Sequence, residues 1–171
     1  AYDTLLELAK RTPDKATRIW PAVKNKYGLK KSQKIRITQT IALHLSLDKS
    51  TKTSTWMRKI PDSHQTNALI GWDIRNAIYH GKWQQTLKTI QKLSQKERNE
   101  PIWQYWRARA LEKTGYKTKA KIIYRKLAKQ RNYYGFLSSI KLKQSFSLNR
   151  QAIVVQQATL NQIQSNIYLF Y

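Results

Sequence analysis

Apolar residues recur along this chain every three or four positions, and Pro, Gly and polar clusters cut the pattern into short runs. Each run is an amphipathic helix by its spacing. Residues 3–10 carry Leu5, Leu6, Leu8 and Ala9, and Thr12-Pro13 ends that run. Pro13 and Asp14 open a second helix with Ala16, Ile19, Trp20 and Val23 on one side, since proline is tolerated in a first turn. Pro21 predicts a kink or break in it, and Gly28 closes it. Ser32 is the expected N-cap of a third helix bearing Ile37, Ile41, Ala42 and Leu45. A short helix over 55–60 stops at Pro61-Asp62-Ser63, and Ser63 caps a helix over 64–80. Gly81 ends that helix, and 82–94 forms its partner.

The pattern is sharpest after Glu100-Pro101. Trp103, Trp106, Ala110 and Leu111 form one stripe, Gly115 is the cap, and Ala120, Ile123, Tyr124, Leu127 and Ala128 form the next stripe. Tyr133, Phe136, Leu137 and Ile140 begin another helix. The periodicity lapses over 145–150, and a last helix is expected from Ala152 or Thr159 to Tyr171.

A repeat underlies the second half. Gly81 and Gly115 lie 34 positions apart, and the same offset joins Trp72 to Trp106, Arg75 to Arg109 and Leu93 to Leu127. A helix–Gly–helix unit of this length matches a tetratricopeptide unit. One such pair cannot bury its own apolar stripe, so neighbouring pairs must stack. The expected fold is therefore all-α: a right-handed superhelix, or solenoid, of short antiparallel helix pairs over residues 1–171. Its clearest units are 64–97 and 98–131, with linker-like helices over 132–171.

Charge sharpens the functional question. Lys and Arg number 33 against nine acids, a net charge of +24. Such a surface attracts polyanions, so nucleic acid, anionic lipid headgroups and acidic cell-wall polymers are candidate partners. There is no cysteine, which excludes disulfides and thiolate metal sites. No apolar run reaches the roughly 20 residues of a membrane helix, and no signal peptide is visible. The chain opens at Ala1 and stops at Tyr171 inside a helical pattern, as expected of a processed protein or a piece of a longer one.

Chemistry-bearing residues are sparse. Asp14, Asp62 and Glu100 fall at helix starts, where carboxylates complement the helix dipole. Glu112 precedes Lys113 and is expected to face solvent. His44, His64 and His80 lack metal-ligand spacing, and no phosphate-binding glycine loop occurs. No catalytic residue, metal site or cofactor is therefore assigned. Trp72 and Trp106 sit on the inward stripe and read as packing residues. Tyr105 and Arg107 face away from that stripe, and with Tyr133 they form the expected glycan or polyanion surface. Basic runs cover 24–34, 117–129 and 141–150, which keeps open a basic helical-repeat module that binds nucleic acid or a protein partner.

Three segments carry a family resemblance. Trp72-Asp73-Ile74-Arg75-Asn76-Ala77 is followed by Gly81-Lys82-Trp83; Trp103-Gln104-Tyr105-Trp106-Arg107-Ala108-Arg109-Ala110-Leu111-Glu112 by Gly115; and Tyr124-Arg125-Lys126-Leu127-Ala128 by Tyr133-Tyr134-Gly135-Phe136-Leu137. In this order and spacing they resemble the helical region of soluble lytic murein transglycosylases. The resemblance is sharp over residues 69–144 and looser before them, and 155–171 falls where the family's linker runs toward its catalytic domain. It implies a periplasmic setting, peptidoglycan glycan strands as ligand, and a superhelical scaffold. It also implies a lysozyme-like catalytic domain, as partner, that cleaves to 1,6-anhydro-muramoyl ends. That domain's catalytic glutamate lies in a Glu-Ser motif, and no Glu-Ser occurs in this chain. The resemblance thus implies a non-catalytic part of an enzyme, with weak glycan binding of its own.

Overall fold

A computed structural model describes residues 1–148. Among them are ten α-helices, one short 3-10 turn and no strand. The helices are α1 (Tyr2–Arg11), α2 (Pro13–Val23), α3 (Lys31–Leu47), α4 (Thr53–Met57), α5 (Asn67–Tyr79), α6 (Trp83–Ile90), α7 (Gln95–Arg98), α8 (Pro101–Lys113), α9 (Lys117–Leu127) and α10 (Tyr133–Leu142). The helix expected from Ala152 or Thr159 to Tyr171, and the linker over 155–171, lie outside the described residues.

The helices stack as a solenoid. α1 and α2 pack on α3, α3 packs on α4 and α5, α5 on α6, α6 on α8, and α8 on α9 and α10. Three apolar clusters fill the spaces between them. The first joins α1 to α5 through Ala9, Trp20, Ile37, Ile41, Leu45 and Trp56. A second, of Ile70, Ile74, Ile90, Leu93 and Trp103, lies between α5, α6 and α8. The third, of Tyr105, Ala108, Ala120, Tyr124 and Leu127, lies between α8 and α9.

Four helices, α3, α5, α8 and α10, end in the same way. The first or second residue past each helix takes a left-handed conformation: Lys49 at φ 56°, Gly81 at 64°, Gly115 at 92° and Lys143 at 54°. In each case its amide bonds three residues back, to Ser46, Ile78, Glu112 and Ile140. The next amide bonds five residues back, to Leu45, Ala77, Leu111 and Ser139, at 2.8–3.1 Å. This paired bonding satisfies the otherwise orphaned carbonyls of the last turn and reverses the chain. Gly81 and Gly115 were legible as caps because glycine enters this region without steric cost. Lys49 and Lys143 were not, because a Cβ there is disfavoured.

Several local expectations need correction. α2 runs through Pro21 to Val23 without a break, because Pro21 sits near the helix end, where only the amide toward Thr17 is lost. α3 starts at Lys31 rather than after Ser32, and the Gln33 side chain accepts from the Lys30 amide at 2.9 Å. Asp62–His64 forms the 3-10 turn, so Thr66, not Ser63, caps α5 by accepting from the Leu69 amide. The α10 stripe is also different: Tyr133 and Ile140 are exposed, and Gly135, Ser138 and Ser139 are buried. Small residues let α10 lie close to the preceding turn. A Cβ on Gly135 would stand 2.1 Å from the Gln130 carbonyl oxygen.

Candidate functional site

Two surfaces concentrate chemistry, and the first runs across α3, α5, α8 and α10. It begins in a groove of about 310 Å³ between α1, α3 and α5, lined by Lys10, Arg36, Gln39, Leu43, His44 and Trp72 among others. Trp72 is half-buried there rather than fully inward. Its outer neighbour is Arg75, one turn on along α5, which is exposed yet held in place. The guanidinium carbon lies 5.2 Å from the Trp72 ring centroid and 4.9 Å from that of Trp103. A planar cation over two ring faces is attracted by their quadrupoles. Gly71 makes the room: a Cβ there would come within 3.0 Å of Arg75 Nη1 and 3.1 Å of the Trp103 ring. The sequence pattern gave no reason to single out Gly71, because its φ is ordinary and only the tertiary approach demands it.

An aromatic cluster continues the surface. Tyr105 packs against Trp106, Tyr124 and Tyr134 with ring centroids 5.6–5.9 Å apart. Tyr133 lies edge-on to Tyr134 at 5.1 Å and is 67% exposed. Burial raises the Tyr134 phenol above its ordinary range, against the pull of the Arg75 charge.

The expected glycan surface of Tyr105, Arg107 and Tyr133 does not form as one patch. Tyr105 is only 7% exposed and belongs to the third apolar cluster. The single-stripe reading failed because α8 is a central helix with two buried faces. Trp103 points one way, into the cluster with α5 and α6, while Tyr105 and Ala108 point the other, toward α9. Trp106 lies at the edge of both clusters and is half-buried, as is Arg107. Only Tyr133 is open to a ligand. Of the remaining signature residues, Trp83 is half-buried at a shallow hollow beside Gly81.

Glu112 also departs from expectation. It is half-buried and accepts hydrogen bonds from Arg109 Nη1 at 3.2 Å and Tyr124 Oη at 3.0 Å, with Lys141 Nζ at 3.6 Å. Burial and the carboxylate beside it push the Tyr124 phenol strongly up. Asp73 is a buried acid that the sequence left unremarked. Its Oδ1 accepts from Ser54 Oγ at 2.8 Å, and Ser54 in turn accepts from Gln85 Nε2, which ties α4, α5 and α6 together. Desolvation raises the Asp73 carboxyl despite the Ser54 bond and the charges of Lys92, Arg58 and Lys82. Neither acid is poised beside a groove with a second free carboxylate, as glycoside cleavage by paired acids would need. Among the described residues, no helix is long and apolar enough to cross a membrane.

The second surface is a lysine-lined cleft between α2, α3 and α4. No protein-family model and no curated protein matches the chain. Solved structures do. The lytic transglycosylase Slt from Pseudomonas aeruginosa, solved as an inactive mutant, matches with a TM-score of 0.81 and 24% identity, over 94% of this chain and 26% of that one. This chain has the fold of the helical region of lytic transglycosylases. The 70-kDa soluble lytic transglycosylase from Escherichia coli matches with a TM-score of 0.69 and 20% identity, over 88% of this chain and 25% of that one. A complex of the 70-kDa soluble lytic transglycosylase with bulgecin A matches with a TM-score of 0.67 and 19% identity, over 96% and 28%. The chain therefore spans about a quarter of the length of these enzymes. The resemblance read from residues 69–144 is matched by the fold.

Proposed function

We propose that this chain is a non-catalytic scaffold of a periplasmic lytic transglycosylase, positioning peptidoglycan glycan strands for cleavage to 1,6-anhydro-muropeptides by a separate catalytic domain. The observation that carries this reading is the fold correspondence over 94% of the chain with 26% of a lytic transglycosylase. The surface across α3, α5, α8 and α10 suits such a role. Trp72 and Tyr133 offer ring faces to sugars, and Arg36 and Arg75 offer planar donors to the carboxylates of stem peptides. Contact with the catalytic domain would fall on the same protein's remaining surface.

The test has two readouts on purified sacculi. This chain should sediment with them weakly and release no anhydro-muropeptides detectable by mass spectrometry. Release that disappears on replacing Glu112 or Asp73 would make the chain itself an enzyme. Failure to sediment at any salt would remove the glycan role.

A further inference from the structure

The cleft between α2, α3 and α4 stands apart from the surface just described. It holds about 260 Å³ and is lined by Lys24, Lys31, Lys34 and Lys59 over a floor of Trp20, Pro21, Trp56 and Pro61. Four ammonium groups from three segments thus share one hollow, and among the described residues no carboxylate lines it. Among the described residues none of the four has a salt-bridge partner, whereas Lys10, Lys52, Lys92 and Lys141 elsewhere do. Two of the four are held in place. The Lys34 ammonium donates to Asn25 Oδ1 at 3.1 Å, and the Lys59 ammonium lies 4.9 Å from the Trp56 ring centroid. Like charges gathered in this way repel, and a bound anion relieves that repulsion. The floor is apolar, with Trp20 and Trp56 each 5% exposed, and an apolar wall strengthens charge interactions beside it.

The residue type narrows the ligand. Every cation lining the cleft among the described residues is lysine, a flexible point charge that binds phosphate without demanding the planar two-point geometry of an arginine fork. Phosphates, with charge spread over three or four oxygens, match point cations arriving from several directions. The count matters as well, because four ammoniums exceed what one phosphate needs and suit several linked ones. We propose that this cleft is a binding site for clustered phosphate groups, supplied either by a free oligophosphate or by phospholipid headgroups at a membrane surface. The site lies on residues that the glycan reading does not use, so either can fail alone.

The whole chain is tested against sodium tripolyphosphate by calorimetry, and against phosphatidylcholine vesicles with and without phosphatidylglycerol by sedimentation. The cleft variant is Lys31→Glu with Lys34→Glu. Acids in the first turn of α3 complement its dipole, so the helix is retained. The control is Lys126→Glu with Lys129→Glu, exposed residues at and beyond the end of α9 with the same change in net charge. A milder pair, Lys24→Gln with Lys59→Gln, guards against a folding defect, and circular dichroism verifies each protein. The proposal expects the cleft variant to lose about 10-fold or more in tripolyphosphate affinity and the control about 3-fold or less, since screened charges at a distance contribute little. The glutamine pair should fall between them. The same ranking with phosphatidylglycerol vesicles alone would identify headgroups as the source. Equal losses in the cleft and control variants, or no binding of either probe, would overturn the site.

Discussion

Arg75 and Arg109 hold equivalent places in the two repeat units, yet one lies across two tryptophan rings and the other against a carboxylate. The units share their frame closely. Gly81 and Gly115 both take positive φ, and both pair a three-residue with a five-residue backward hydrogen bond. Leu93 and Leu127 are both buried. What differs is where the polar side chains point. In the α5–α6 pair the arginine is exposed and lies over two ring faces. In the α8–α9 pair the arginine turns to Glu112, which also gathers Tyr124 and Lys141, and the interior is filled by Tyr105. The shared frame thus sets the path of the backbone, while the polar surface differs from one helix pair to the next.

The most damaging way to test that division is to empty its shared core. Trp103 is 3% exposed and lies under Arg75, so Trp103→Ala should cost about 3–5 kcal/mol in denaturant unfolding. Trp106 is half-buried at the cluster edge, and Trp106→Ala should cost about half as much, roughly 1.5–2.5 kcal/mol, because part of its area is already in water. Equal losses would mean that Trp106 is packed as fully as Trp103.

A smaller effect examines the frame. Gly115→Val should destabilise by about 1–2 kcal/mol, the cost of a left-handed conformation for a side chain with a Cβ. The Cβ site at Gly115 is otherwise open, so no clash adds to it. The converse holds at the lysine caps. Lys49→Gly and Lys143→Gly should each stabilise by about 0.5–1 kcal/mol, read as a raised unfolding midpoint.

The pH dependence is smaller again and has a definite sign. Asp73 has a carboxyl raised in the folded chain, so between its ordinary and raised values the folded form holds a proton that the unfolded form has released. Stability from this group is therefore full below the ordinary value and is lost as pH rises through the raised one. Asp73→Asn removes that loss. The melting temperature of the variant minus that of the parent should rise with pH across the acidic range, and a flat difference would show that Asp73 titrates normally.

The helices were legible where apolar spacing, proline and glycine agreed, as in α8 and α9. Boundaries slipped where side chains rather than glycines did the capping, at Gln33 and Thr66, because several polar residues nearby could equally have served. Among the helix caps, the 34-residue period holds only between Gly81 and Gly115. The flanking caps are lysines, at spacings of 32 and 28 residues. Of the site, Trp72, Arg75 and Tyr133 were legible as residues, but the placing of Arg75 over Trp103 was not. Tyr105 misled because a helix packed on both sides has no single inner stripe. Asp73 was hidden because a carboxylate buried by its surroundings looks, in sequence, like any other.

The central claim is that the open face of the first unit recognises glycan rather than charge alone. Net charge of +24 ensures that DNA and sacculi both retain the chain at low salt. The deciding measurement is therefore retention on purified sacculi and on DNA across a salt series, for the parent chain and for Arg36→Gln with Arg75→Gln. At physiological ionic strength, where the Debye length is about 8 Å, the account predicts that sacculi still hold the parent, DNA has released it, and the double variant is lost from sacculi. Sacculus and DNA retention that fall together, or a double variant that binds sacculi as the parent does, would contradict it.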